Sequence, residues 1–152
     1  MADHNSRDLL DQDTFIYHKP TFDRIAPEKR NRIIDTAVKE FAAQGYNATS
    51  INVVAKRCGI SIGSLYSYFE SKEDLFMTVV ESSRHVLGEA LEEVLEEQGS
   101  FYDKLTKMVH VLQDWTVRFP ELNQIYIDLS TEGLSHLSDR LSVRMESRTA
   151  EV

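Results

Sequence analysis

The side chains best suited to bind another molecule are the hydroxyl groups in the stretch "CGISIGSLYSYFESKEDLF", residues 58–76. Four of them follow one another closely: Ser64, Tyr66, Ser67 and Tyr68. Hydroxyl groups donate and accept hydrogen bonds, and they bind phosphate oxygens and the edges of DNA bases. Gly63 lies beside them and has no side chain, so the backbone there can approach a partner closely. The pattern therefore predicts a surface that contacts nucleic acid.

A helix would divide this stretch into two sides. When Ile62 is set at zero and each residue advances by about 100°, Leu65, Tyr66 and Phe69 fall on the side of Ile62. The opposite side holds Gly63, Ser64, Ser67 and Tyr68. We expect the apolar side to be buried and the opposite side to be presented to a partner. An exposed helix without a partner more usually carries Lys and Glu, which form helices better.

Two histidines have carboxylates four residues away: His85 with Glu81 and Glu89, and His110 with Asp114. On a helix, such pairs suit a metal ion or a catalytic base, but they are also usual on a solvated face. Each set lies on a single helix and has no cysteine partner, so neither set shows a closed site. The sequence also shows no nucleophile motif, phosphate-binding loop or glycine-rich cofactor turn. We therefore expect no enzyme activity, no metal and no cofactor.

The charge is unevenly distributed along the 152 residues. The formal net charge is −8, and it divides into −2 over residues 1–20, +3 over residues 21–72 and −9 over residues 73–152. Contact with phosphate is local and is screened beyond about 10 Å, so the sign of the segment matters more than the total. The basic segment contains the hydroxyl-rich stretch and is the one expected to meet nucleic acid.

The single cysteine indicates the cellular compartment. Cys58 cannot form an internal disulfide, which suits the reducing cytoplasm, and it lies on an apolar helix face as a small core residue. No apolar run approaches the ~18 residues that a membrane helix needs. The first residues, "MADHNSRDLLDQD", do not resemble a secretory signal. We expect a cytoplasmic protein.

Capping signals predict a helix-turn-helix before residue 72. One helix starts at Pro27 and ends at Gly45, and a second follows Thr49 as its N-cap and ends at Gly59. Ser61 then caps a third helix, which contains the hydroxyl groups. Two short helices joined by a tight glycine turn are typical of this DNA-binding motif.

Longer helices follow in the second half of the chain. Ser71 is expected to cap a fourth helix that runs to about Glu97, with Lys72 in its first turn. A cation there opposes the helix dipole, which an external phosphate would explain, although a solvated lysine is the ordinary alternative. A fifth helix runs from Phe101 to Pro120, and a sixth begins near Glu121 with a bend at Gly133.

Residues 28–76 resemble the TetR (tetracycline-repressor-like) family of bacterial transcription regulators. The resemblance rests on three passages: "F-A-x-x-G-Y-x-x-T-S", "A-x-x-x-G-I-S-x-G-x-L-Y-x-Y-F" and "S-K-E-D-L". It implies an all-α fold with an N-terminal three-helix helix-turn-helix domain, joined by a long fourth helix to a helical ligand-binding and dimerisation domain. The expected divisions are a disordered tail over 1–20, the DNA-binding domain over 21–72 and an effector domain over 73–152 that is incomplete at its C-terminal end.

The resemblance also implies partners and residue roles. Family members are homodimers that bind palindromic double-stranded operators through their third helices. Matched to the family pattern, the residues expected in the groove are Ile62, Gly63, Ser64 and Ser67. Those expected to bind phosphates are Tyr66, Tyr68 and Lys72. Two residues near the start of the second helix, Ser50 and Asn52, are expected to contact the DNA backbone and a base.

The later helices of the family form a pocket for a small effector, which releases DNA by moving the fourth helix. Here the candidate lining is Met108, His110, Trp115, Phe119 and Tyr126, although an ordinary packed core explains each of them equally well. The alternative function is an architectural or protein-interaction module on the same fold, without an effector.

Overall fold

The computed structural model describes residues 17–131 together with residues 134, 136, 137 and 139. Within these residues the chain forms seven α-helices and no strand, which confirms the all-α prediction. The helices are α1 (Pro20–Asp23), α2 (Pro27–Ala48), α3 (Ile51–Cys58), α4 (Ile62–Tyr68), α5 (Lys72–Glu96), α6 (Phe101–Arg118) and α7 (Pro120–Thr131). No helix of this described part is long and apolar enough to cross a membrane.

Helices α2, α3 and α4 form the predicted helix-turn-helix. The apolar stripe of α3 buries Val54, Ala55 and Cys58. Gly59 ends α3 in the left-handed conformation, with φ at 70°, and its amide donates to the carbonyls of Ala55 and Lys56. Ser61 caps α4 as predicted, because its hydroxyl accepts a hydrogen bond of 3.0 Å from the amide of Ser64.

The junction between α2 and α3 departs in part from the prediction. Gly45 takes φ of 74° and interrupts the regular helix where an end was expected, but the helix continues past this kink to Ala48. The predicted N-cap role of Thr49 is wrong, since Ser50 occupies that position. The Thr49 hydroxyl instead donates to the carbonyls of Gly45 at 2.7 Å and Glu40 at 3.2 Å. Thr49 is the C-cap of α2, and its amide also donates to the Gly45 carbonyl, at 3.2 Å.

The longer helices begin where their caps predict. Ser71 accepts a hydrogen bond of 3.1 Å from the amide of Asp74 at the start of α5, which spans roughly 37 Å. Ser100 and Asp103 form a reciprocal capping box at the start of α6. Pro120 ends α6 and is the first residue of α7. Gly133, where a bend was predicted, lies outside the described residues.

One hydrophobic core runs across both halves of the described chain. Phe41 of α2 contacts Phe76 of α5 edge-on, with ring centroids 5.0 Å apart. Helix α7 packs directly on α2 and contributes Ile125 and Leu129 to the same core as Ile33. The helix-turn-helix therefore shares its interior with α5 and α7.

A short helix that the sequence did not predict precedes α2. The disordered tail was expected to extend to residue 20, and residues 1–16 of it lie outside the described residues. Tyr17 is buried, and Phe22 of α1 is 1% exposed. Pro20 occupies the first position of α1, where its fixed φ favours a helix start. The segment from Tyr17 to Asp23 packs against α4.

Candidate nucleic-acid interface

Helix α4 has one buried and one exposed side. It packs inward through Leu65 and Tyr68, and through Phe69 immediately after its last residue. The exposed residues are Ile62 (37% exposed), Gly63, Tyr66 (47% exposed) and Ser67, with Ser64 half-buried at their edge. The helix thus presents a low surface with one protruding ring, and the major groove of DNA is wide enough to admit an α-helix.

The two tyrosines have exchanged the sides that the sequence assigned to them. The helical spacing placed Tyr68 on the presented side, but Tyr68 is 7% exposed; it placed Tyr66 and Ile62 on the buried side, but both are exposed, as the family resemblance implied. The physical reason is α1. Its Phe22 ring lies 5.9 Å from the ring of Tyr68 and 4.9 Å from that of Phe69, so the buried stripe of α4 is centred between Leu65 and Tyr68 rather than on Ile62.

The Tyr68 hydroxyl has a partner within the protein. It accepts a hydrogen bond of 3.0 Å from the side-chain nitrogen of Lys29, and this nitrogen also lies 5.4 Å from the centroid of the Tyr68 ring. The pair joins the start of α2 to the end of α4. A phosphate contact from Tyr68 stays a prediction, and Lys29 supplies a neighbouring cation that the sequence reasoning did not select.

The serine hydroxyls on the presented side are bonded locally. Those of Ser61 and Ser64 lie 2.8 Å apart, and Ser67 donates to the Ser64 carbonyl at 2.6 Å. Each hydroxyl oxygen also has lone pairs that accept hydrogen bonds. Ser64 and Ser67 are therefore held in place and still able to accept a hydrogen bond from the edge of a base.

Nothing in the packing explains the glycine in this helix. A Cβ added at Gly63 would meet only the Ser61 hydroxyl, at 4.0 Å, and the residue is exposed. Glycine inside a helix is less stable than alanine by about 1 kcal/mol. The packing of the protein therefore does not require a glycine at this position.

The start of α3, the helix that precedes α4, carries two more of the residues predicted to contact DNA. Ser50 is its N-cap, but the Ser50 side chain makes no capping hydrogen bond, and both Ser50 and Asn52 are exposed. Lys56 is also exposed on α3. Arg57 pairs with the buried carboxylate of Glu40 on α2, which fixes α3 to its neighbour.

Lys72 is bonded to the end of α2. Its side-chain nitrogen donates to the carbonyls of Tyr46 at 2.8 Å, Asn47 at 3.2 Å and Thr49 at 3.3 Å, and it lies 4.6 Å from the centroid of the Tyr46 ring. These carbonyls carry the negative end of the α2 dipole and account for a cation in the first turn of α5. The phosphate contact expected of Lys72 stays a prediction.

The candidate effector-lining residues lie on α6 and α7. Met108 and Phe119 are half-buried and Trp115 is buried, with the Trp115 and Phe119 rings 4.6 Å apart, while His110 is exposed. On α7 the Tyr126 hydroxyl lies 3.2 Å from that of Ser83, which donates to it. Burial raises the pKa of Tyr126, against the opposing effects of the Ser83 hydrogen bond and the Arg84 charge.

The histidine and glutamate residues of α5 are not arranged around a common point. Glu81 forms a bidentate pair with Arg84, at 2.5 and 3.1 Å, while His85 lies 3.3 Å from Glu89. Among the described residues, no group of three His, Cys, Asp or Glu side chains could hold a metal ion.

Comparisons with known proteins agree with this geometry. The profile of bacterial regulatory proteins of the tetR family matches residues 33–79, from α2 into α5. The HTH-type transcriptional regulator AcrR of Shigella flexneri is 39% identical over 93 residues, which are 58% of this chain and 42% of that protein. The HTH-type transcriptional regulator TtgW of Pseudomonas putida is 30% identical over 112 residues, which are 73% of this chain and 83% of that protein.

A solved structure has the same fold, and the relatives show how much of their own length this chain matches. A TetR-like transcriptional regulator from a Rhodococcus species has the same fold, with a TM-score of 0.70 and 20% identity over 81% of this chain and 67% of that one. In six curated relatives the matched stretch covers between 18% and 66% of the relative's length. The named relatives are transcriptional regulators rather than enzymes. By its helix-turn-helix, its matching profile and its likeness to TtgW over most of that protein, the chain belongs to the tetR family of bacterial regulatory proteins.

Proposed function

We propose that this protein is a DNA-binding transcriptional regulator whose α4 enters the major groove. The observation that carries the proposal is the exposed Gly63, which the packing does not require, on a helix side of small polar residues. A backbone with no Cβ lets the helix lie against base edges. The TetR family membership supports the same role.

The proposed contacts follow the exposure of each side chain. The groove is faced by Ile62, Gly63, Ser64 and Ser67, and Tyr66 reaches a phosphate. At the start of α3, the side chains that contact the DNA backbone are those of Ser50 and Asn52. Tyr68 and Lys72 act chiefly through their bonds to Lys29 and to the end of α2, because these bonds fix the helices that carry the contacts.

The regulator acts as a homodimer on a palindromic operator, and it is a repressor that a small effector releases from DNA. Two copies of α4 would then read half-sites about one helical turn apart. The effector binds among α5, α6 and α7, and its binding energy shifts the population between two settings of α5. The contact of α7 with α2 gives this change a direct route to the helix-turn-helix. The protein works in the cytoplasm and catalyses no reaction.

The test begins with DNA that the full chain selects from a random-sequence pool. Fluorescence anisotropy then compares the selected duplex with a scrambled one across a salt series. We expect tight and selective binding that weakens steeply as salt rises. Equal, weak binding to both duplexes would reject the regulator and favour the protein-interaction module.

Two glycines provide matched variants for this test. A Cβ at Gly63 on α4 meets only one atom, at 4.0 Å, and a Cβ at Gly88 on α5 meets none within 4 Å. Each change to alanine is expected to stabilise the fold by about 0.5–1 kcal/mol. Only Gly63→Ala should also weaken binding to the selected duplex, by about tenfold. Equal DNA affinity in the two variants would remove α4 from the interface.

A further inference from the structure

The C-terminal end of α4 is closed by residues that precede the helix-turn-helix. The last four carbonyls of a helix have no partner within it. In α4 the amide of Phe69 donates a hydrogen bond of 3.0 Å to the carbonyl of Leu65. The other three carbonyls, of Tyr66, Ser67 and Tyr68, all accept hydrogen bonds from Lys19 or Thr21.

These bonds involve both backbone and side chains. The amide of Lys19 donates to the Tyr68 carbonyl at 2.7 Å, and its side-chain nitrogen donates to that of Tyr66 at 3.0 Å. The Thr21 hydroxyl donates to the Ser67 carbonyl. The same lysine nitrogen pairs with Glu70 at 3.0 Å. A positive charge is thus held at the end of α4 where the helix dipole is negative.

The segment is anchored by aromatic packing. Phe22 is 1% exposed and contacts the rings of both Tyr68 and Phe69. The His18 ring packs edge-on against Phe22 with centroids 5.1 Å apart, and its Nε2 lies 2.8 Å from a carboxylate oxygen of Asp23. These contacts fold residues 17–23 onto themselves and hold them against α4.

A helix as short as α4 depends on such contacts for its position. It contains seven residues, fewer than a helix needs to be stable alone in water. Its N-terminal end is set by Ser61 and its inner side by Leu65. The direction in which Tyr66 and Ser67 point is set at its C-terminal end, where their own carbonyls bond to Lys19 and Thr21.

We propose that residues 17–23 form an N-terminal clamp that positions α4 for selective DNA recognition. This inference rests on the proposed function, because it assigns to Lys19 and Thr21 a positioning role in that same interface. The clamp acts from behind the presented side, so it affects which sequence is bound more than how strongly DNA in general is bound. Phosphate contacts determine general affinity, and base contacts determine selectivity.

The first experiment removes the Thr21 hydroxyl from the full chain without changing its charge. Thr21→Val is compared with Thr21→Ser, which keeps the hydroxyl, and with Thr106→Val, which removes a hydroxyl that donates to the Tyr102 carbonyl on α6 at 2.9 Å. Anisotropy gives the affinity of each variant for selected and scrambled DNA, and urea unfolding checks its stability. We expect Thr21→Val to lose about fivefold for selected DNA only, with Thr21→Ser near wild type and Thr106→Val unchanged.

Lys19→Met provides a second variant, with Lys104→Met as its control because Lys104 donates to the Leu95 carbonyl away from α4. Loss of selectivity with an unchanged salt slope would support positioning by Lys19. An equal loss for both duplexes with a slope smaller by about one would mean that Lys19 contacts a phosphate, and would overturn its positioning role. If Thr21→Val binds selected DNA as tightly as Thr106→Val does, the positioning role of Thr21 is overturned.

Amide hydrogen exchange separates the clamp from the proposed function, since it needs no DNA. Peptides that cover residues 62–69 should exchange faster in Thr21→Val than in wild type, and should be unchanged in Thr106→Val. Unchanged protection in Thr21→Val would overturn the clamp even if the wild type binds DNA selectively. Failure of the wild type to bind DNA selectively would reject the regulator instead, whatever the exchange shows.

Discussion

The side-chain nitrogen of Lys72 lies 2.8 Å from the carbonyl oxygen of Tyr46, so the first residue of α5 is bonded to the last turn of α2. Two further carbonyls, of Asn47 and Thr49, accept bonds from the same nitrogen. This cation is therefore part of the framework that holds the helix-turn-helix together.

Lys72→Met should lower the free energy of unfolding by about 1–2 kcal/mol, because three carbonyls lose a charged donor. Urea unfolding measures this, with Lys56→Met as the control because Lys56 is exposed on α3. An unchanged free energy of unfolding would mean that these hydrogen bonds make no net contribution to stability. The salt slope of DNA binding tests the phosphate contact separately, since a lost contact lowers it by about one.

Tyr66→Ala should weaken binding to selected and scrambled DNA alike, by about 1 kcal/mol, because the proposed partner of Tyr66 is a phosphate, and it should leave the unfolding energy nearly unchanged. The ring is 47% exposed, so its removal leaves little buried space. Tyr102→Ala is a matched control, since Tyr102 is 77% exposed on α6. Anisotropy and urea unfolding measure the two effects. The same DNA affinity in both variants would place Tyr66 outside the interface.

Tyr126→Phe should destabilise the protein by about 1 kcal/mol at neutral pH, because the hydrogen bonds of the Tyr126 hydroxyl with the Ser83 hydroxyl and the Val80 carbonyl are lost. The pKa of Tyr126 is raised in the folded state, so folding favours the protonated phenol. Its contribution is complete below the unfolded pKa and is lost as pH rises through the folded one. The stability difference between wild type and variant should therefore shrink above about pH 10. A difference independent of pH would contradict the raised pKa.

Cys58 should react with a thiol reagent far more slowly in the folded protein than in urea. The side chain is 3% exposed, and burial raises the pKa of its thiol, so little thiolate forms and little of it is reached. Absorbance during reaction with a chromogenic disulfide measures both rates. Fast labelling of the folded chain would mean that α3 opens readily, or that this cysteine has a role beyond packing.

Local signals in the sequence predicted much of this fold. Pro27, Ser61 and Ser71 start helices, and Gly45 and Gly59 take positive φ angles where helix ends were expected. Each of these residues acts through the backbone within a few positions of itself. Such effects depend little on the rest of the molecule, so they can be recognised before the fold is known.

The features that were missed depend on distant partners. Helix α1 has only four residues and no apolar period, and its place is fixed by rings on α4 more than forty residues later. Without α1, the buried side of α4 could not be located. The helical spacing therefore predicted Tyr66 as buried and Tyr68 as exposed, the reverse of what the structure shows. The carbonyl partners of Lys72 could not be predicted for the same reason, since they lie 23 to 26 residues earlier in the chain.

The core shared by α2, α5 and α7 bears on how such regulators can be recombined. A chimaera joined at residue 72 would take Phe41 from one parent and Phe76 and Ile125 from another, so its interior would combine surfaces that were never matched. Exchanging the exposed residues of α4 leaves that interior intact. Grafting of side chains, with residues 17–23 carried along, is therefore the sounder route to a regulator with a new DNA target.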